Sequence, residues 1–135
     1  MNSTTNHLLS LISDFREDFK GAFNIRENGG CAGRQSTETI RIEPRQKEPG
    51  IDIYISAAAK HETVYIPACV TKSGVNDLVY NDFHVEDGAD VVIVAGCGVH
   101  SDGEDEAVHN GIHRFFVGKN AKVLYQEKHI GTGTG

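Results

Sequence analysis

The chain has 135 residues, enough for one domain with a buried core. Its net charge of −6 and the lack of any basic run argue against nucleic acid, whose phosphates demand a cationic patch, and against an anionic membrane surface. No apolar stretch reaches membrane-span length, the polar start Met1–Asn6 lacks a signal-peptide layout, and three widely spaced cysteines are no disulfide framework, so the expectation is a cytoplasmic protein with reduced thiols.

The first predicted element is an amphipathic helix. Leu8, Leu11, Ile12, Phe15 and Phe19 recur at three- and four-residue steps, which predicts a helix over 7–20 with Thr4, Thr5 or Asn6 as its cap and Gly21 as its stop. Residues 1–21 therefore read as an N-terminal helical segment and 22–135 as one β-domain. After Gly21 the pattern changes. Short runs rich in Val, Ile, Tyr and Phe follow one another: Phe23–Ile25, Thr39–Ile42, Ile51–Ile55, Thr63–Ile66, Asp77–Tyr80, Val91–Val94, His113–Val117 and Lys122–Tyr125. Turn residues such as Asn28-Gly29-Gly30 and Pro49-Gly50 separate them, which is the signature of a mainly β protein.

One unit recurs. Phe83-His-Val-Glu-Asp-Gly-Ala-Asp-Val91 matches Phe115-Phe-Val-Gly-Lys-Asn-Ala-Lys-Val123 at an offset of 32 residues. Gly88 and Asn120 occupy the corner where a left-handed residue is needed, each followed by Ala. A weaker third copy begins near Ala59 and leads into Val64. Looping out the polar excursion Val99–Asn110 leaves a period of roughly 20 residues, within the solenoid range. The expected fold class is a β-solenoid with a short N-terminal helix, a β-sandwich being the alternative.

Between the two strong copies lie Cys97, His100, His109 and His113, spaced Cys-x2-His-x8-His-x3-His. Thiolate and imidazole together suit zinc or iron. The spacing is not that of a zinc finger, and hydrogen-bonded imidazoles flanking a turn at Asn110-Gly111 are the competing reading. Cys97 sits in Ala95-Gly-Cys-Gly98, read as directly following a strand, where small neighbours leave a thiol open to a large partner. The alternative is a buried core cysteine. Cys31 reads as a loop thiol, Cys69 as core, His84 and His129 as surface or core histidines, and Asp102–Glu106 as a solvated acidic turn without EF-hand spacing. No nucleophile elbow, zincin motif or P-loop occurs, so no enzyme is expected and no nucleotide is expected to bind this chain.

The runs Val91-Val-Ile-Val-Ala-Gly-Cys-Gly-Val-His100, His109-Asn-Gly-Ile-His113 and Val117-Gly-Lys-Asn-Ala-Lys-Val-Leu-Tyr125 resemble the core of the SufB/SufD family of the SUF iron–sulfur cluster assembly system. The resemblance covers about residues 65–129, and Gly118–Val123 followed by an aromatic is its most specific part. Asn24-Ile-Arg26 and Pro49–Asp52 look like the short SufB/SufD-like proteins of anaerobes. The resemblance implies a right-handed parallel β-helix core. It implies a non-enzymatic scaffold that receives sulfur and iron together with a paralogue and a SufC-type ABC ATPase. Cys97 would then be the sulfur or cluster contact, and a transient iron–sulfur cluster or iron the cargo. In that family the SufC contact follows the β-helix in a helical region. The sequence stops at Gly135 without one, so an N-terminal fragment or a shortened relative is expected. Two other readings stand beside this one: a small metal-binding β-protein using Cys97 with His100, His109 or His113, and a purely structural β-helix module. An open terminal rung exposes unpaired backbone, which predicts a homo-oligomer or pairing with a SufB/SufD-like paralogue.

Overall fold

A computed structural model describes residues 2–12, 19–72, 74–101 and 107–133. It holds one helix, α1 (Ser3–Ile12), followed by β1 (Phe23–Glu27), β2 (Gly30–Gln35), β3 (Ile40–Pro44), β4 (Gly50–Ile55), β5 (Glu62–Val70), β6 (Asn76–Val85), β7 (Asp90–Ser101), β8 (Val108–Val117) and β9 (Lys122–Gly133). The protein is mainly β. Its strands make two mixed, mostly parallel sheets, ordered β2-β1-β5-β7-β9 and β3-β4-β6-β8. Each sheet opens with an antiparallel pair and grows by parallel addition. From β4 onward the chain alternates between the sheets.

The repeat seen in the sequence is a stacking register. Phe83 pairs with Phe115 in one sheet and Val91 with Val123 in the other. Gly88 (φ 76) and Asn120 (φ 59) take the left-handed backbone at the equivalent corners. The amides of Ala59, Ala89 and Ala121 bond back to the carbonyls of Ser56, Glu86 and Gly118 at 3.0, 3.2 and 3.3 Å, so the third copy shares the corner. The described ends of the excursion Val99–Asn110 are strand, not the looped-out segment that the shorter period required. β7 runs on to Ser101 and β8 starts at Val108, so the full offset is the repeat. Gly96 and Gly98 interrupt the apolar alternation, yet their backbones pair with β5 on one side and β9 on the other. Ladder hydrogen bonds, not side-chain packing, extend the strand there.

Inward positions at every second residue fill the space between the sheets: Ile51, Ile53 and Ile55, then Val64 and Ile66, Phe83 and Val85, and Val91, Ile93 and Ala95. Each large side chain fully buried here contributes roughly 1.5–3 kcal/mol. Phe83 stacks on Phe115 with ring centroids 4.9 Å apart, carrying the core into the last rung. That rung is open on its far side, and Phe116, Val117 and Leu124 are more than half exposed.

The helix begins earlier than the span 7–20. Asn2 caps it, its Oδ1 accepting the Thr5 amide at 2.7 Å. Residues 13–18 of the expected helix lie outside the described residues, and Phe19 and Lys20 are not helical. Leu8 and Leu9 pack on Ile25 and Cys69, on the outer face of the five-stranded sheet. Gly98 is the seat for Leu8: a Cβ at this position would lie 2.8 Å from the Leu8 Cβ. Among the described residues no helix is long and apolar enough to cross a membrane.

Candidate functional site

At one end of the core the inward rows turn polar. On β6 the row Val85, Phe83 continues as Asn81, Val79 and Asp77. On β8, Phe115 continues as His113, Gly111 and His109. On β9, Tyr125 continues as Glu127 and His129, and on β7, Ala95 continues as Cys97. Between these rows lies a cavity of about 280 Å³. Ile51, Ile66 and Ala95 form its apolar floor, and Cys97, Cys31, His109, His113, Glu127 and His129 bring its chemistry.

His109 is the best-positioned group. Its Nδ1 lies 2.9 Å from Oδ2 of Asp77, which is directly opposite on β6. Arg26 holds the same carboxylate from β1, with Nε 2.9 and 3.0 Å from its two oxygens and Nη2 at 2.8 Å. Burial pushes the Asp77 carboxyl up, but the hydrogen bonds from His109 and Arg26 outweigh it and hold it at about 2. An ionised Asp77 accepts the Nδ1 proton, and Nε2 of His109 is turned toward the cavity.

His113 follows on the same face of the strand. Its Nδ1 is 3.3 Å from the amide of Asn81, again its opposite number on β6, and its Nε2 is 3.7 Å from Oε1 of Glu127. Burial lowers its pKa, favouring the neutral ring. Gly111 lies between the two histidines, and its missing side chain is what makes room for both. A Cβ there would stand 2.9 Å from Nε2 of His113 and 3.6 Å from Nε2 of His109. The continuous strand β8 replaces the turn expected at Asn110-Gly111. At the mouth, Nε2 of His129 is 3.3 Å from Glu127 Oε1.

Cys97 lies within β7, not after it, opposite Ala68 of β5 and His129 of β9. The side chain expected to be open is only 6% exposed, because strands flank it on both sides and the sheet's inner face covers it. Burial, then the charges of Asp77 and Glu127, push its thiol up to about 11. Cys97 is therefore a protonated thiol at neutral pH.

The structure brings Cys97, His109 and His113 to one cavity but leaves His100 out. His100 is an odd step from Cys97 along β7, so it belongs to the opposite face of the sheet. The four do not form a ready-made metal centre. Among the described residues, the only group of three or more His, Cys, Asp or Glu donors lying mutually within 4.8 Å is Asp52, Asp82 and His84. There the positive charge is already supplied. Arg114 binds Asp82 at 2.7 and 2.8 Å, and Arg45 reaches both Asp82 and Asp52. That cluster is an ion-pair ladder across the outer face of the four-stranded sheet.

Sequence reasoning missed Asp77, Asn81 and Glu127, read Cys31 as a loop thiol, and left His129 as a surface or core histidine. The available signal was even spacing: His109-x-Gly111-x-His113-x-Phe115 and Tyr125-x-Glu127-x-His129 each put chemistry in line with a core aromatic. Cys31 could not be placed this way, since it lies on β2, an edge strand with no apolar alternation. Cys31, Cys97 and His129 come from the five-stranded sheet and His109 and His113 from the four-stranded one, so thiol and imidazole donors face each other across the cavity. The acidic loop 102–106 lies outside the described residues. Comparison with family models, curated proteins and solved structures finds no match.

Proposed function

We propose that this chain is a non-enzymatic component of an iron–sulfur cluster assembly scaffold of the SufB/SufD type, folded as a right-handed parallel β-helix. The observation that carries the reading is the cavity that gathers Cys97 and Cys31 with His109 and His113 between two mostly parallel sheets. Alternation of the strands between the sheets, with parallel partners about 30 residues apart at each step, supports the β-helix. Cys97 is the sulfur or iron contact. It waits as a shielded thiol; iron displaces its proton to solvent, and sulfane sulfur comes from a donor persulfide whose thiolate leaves with that proton. The open edges of β8 and β9 support pairing with a second copy or a SufB/SufD-like paralogue. Energy input belongs to a SufC-type ABC ATPase.

The test is anaerobic reconstitution with iron and sulfide, read by visible absorption and metal analysis. The wild type should develop a sulfur-to-iron charge-transfer band, and Cys97→Ser should lose most of it while keeping its circular dichroism. An identical band in Cys97→Ser, or none in the wild type, sinks the proposal.

A further inference from the structure

The geometry points to a mononuclear divalent-metal site of nitrogen and oxygen donors in the mouth of this cavity, formed by His109 Nε2, His113 Nε2 and the Glu127 carboxylate, with His129 as a fourth ligand. Its donors differ from those the sequence suggested, for neither Cys97 nor His100 belongs to it.

Three observations carry the assignment. First, the two Nε2 atoms converge on the void above Gly111, 2.9 and 3.6 Å from the point a Cβ would occupy. Second, each ring has its Nδ1 engaged from behind: His109 by the Asp77 carboxylate at 2.9 Å, and His113 by the Asn81 amide at 3.3 Å. Histidine ligands in metal sites are oriented this way, with the far nitrogen held and the near one aimed at the metal. The amide of Asn81 can present either end, so it can accept the Nδ1 proton and free Nε2. Third, one carboxylate oxygen of Glu127 serves two imidazoles, 3.7 Å from His113 Nε2 and 3.3 Å from His129 Nε2. Glu127 and His129 sit at the mouth, with side chains 34% and 65% exposed, so they can turn inward as the ion arrives. The ion draws the donors into a single sphere of roughly 2.0–2.2 Å.

Three imidazoles and one carboxylate, with positions left for water, select a first-row divalent ion, iron(II) foremost, over calcium or magnesium. In the scaffold reading, this is where iron is held before sulfur reaches it. The site stands without that reading, because it needs no thiol and no sulfide.

The test uses the full chain, apo and anaerobic, with cobalt(II) as the spectroscopic probe and iron(II) in competition. We expect one equivalent of cobalt bound, with visible d–d bands and no intense thiolate-to-cobalt charge-transfer band. His100→Ala, on the opposite face of β7, should bind it as the wild type does. His109→Ala, His113→Ala and Glu127→Gln should each weaken binding at least about tenfold, a loss of the size seen when metal-site partners are removed. Glu127→Gln guards against misfolding, since that side chain is near the surface. Absence of stoichiometric binding, binding unchanged in both His113→Ala and Glu127→Gln, or a thiolate band abolished by Cys97→Ser would each overturn the proposal. Cobalt binding without cluster reconstitution keeps this site and removes the scaffold reading. Reconstitution at Cys97 without cobalt binding does the reverse.

Discussion

Asp77 and His109 face each other across neighbouring strands at 2.9 Å and stand 32 residues apart in the chain. The same offset joins Asn81 to His113, Asp82 to Arg114 and Phe83 to Phe115. One turn of the repeat thus supplies the histidines, and the turn before it supplies the groups that hold them. A side chain and its support are fixed by a single quantity, the register of β6 on β8.

Asp77 should be costly to neutralise. Asp77→Asn leaves the Arg26 guanidinium without a counter-charge, at a site where the carboxylate is 3% exposed. Removing one partner of a buried pair costs roughly 3 kcal/mol, which urea denaturation will measure. The pH dependence follows from the same carboxyl. It is held at about 2 when folded, against about 3.9 unfolded. Its stabilising contribution is therefore complete above about pH 4 and is lost as the pH falls from about 4 toward 2. The wild type should lose that stability over this window, and Asp77→Asn should lose less.

Gly111→Ala should separate fold from site. The new methyl meets only the ends of two imidazole rings, which can swing aside. Stability should change by no more than about 1 kcal/mol. Cobalt(II) affinity should fall as it does for the histidine variants, because the void in which the two nitrogens meet is filled. Unchanged affinity in Gly111→Ala would place the ion elsewhere.

The thiols should react in a fixed order. Cys31 is exposed and should alkylate readily at pH 8, while Cys69 and Cys97 should react only after denaturation, as mass spectrometry will show. Burial, then the Cys97 charge, pushes Cys69 up to about 12, and Cys97 stands at about 11. Unfolded thiols ionise near about 8.5, so the unfolded state gains above that pH while the folded thiols stay protonated. Stability should be flat below about pH 8 and then fall by up to about 1.4 kcal/mol per pH unit for each thiol. Cys69→Ala should flatten that alkaline slope.

Asp82→Ala provides a contrast. It strips Arg45 and Arg114 of their shared carboxylate and should destabilise the fold, by less than Asp77→Asn does, because water screens the half-exposed Arg114. Metal uptake should not change, because this ladder lies on the far side of the four-stranded sheet from the cavity.

Much of this was legible in the sequence. Phe83, Phe115, Val91 and Val123 gave the stacking register, because buried aromatic and β-branched residues must recur where strands stack. The corner residues Gly88 and Asn120 were legible because their backbone conformation restricts residue choice. The hairpin after β1 was half visible. Asn28 (φ 49) and Gly29 (φ 82) announce a tight turn, but β2 reads Gly-Cys-Ala-Gly-Arg-Gln, with nothing apolar to mark a strand. In the site, Cys97, His109 and His113 stood out by residue type. Their supports did not, since Asp77 and Asn81 look like the ordinary polar ends of a short strand run until the register sets them opposite the histidines. His100 was grouped with Cys97 by proximity in sequence, and the alternation of the strand parts them.

Gly98 has a bearing on how the chain reaches this state. Its bare backbone is the berth for Leu8, some ninety positions earlier in the sequence. The helix cannot seat until β7 is laid between β5 and β9, so it docks only after strands that follow it by some ninety positions are in place. Until then Leu8 and Leu9 stand uncovered, and the folding chain carries a greasy helix in search of a surface that does not yet exist. Trapping of that helix by a chaperone, or by a neighbour's half-built sheet, is the hazard this order of assembly creates.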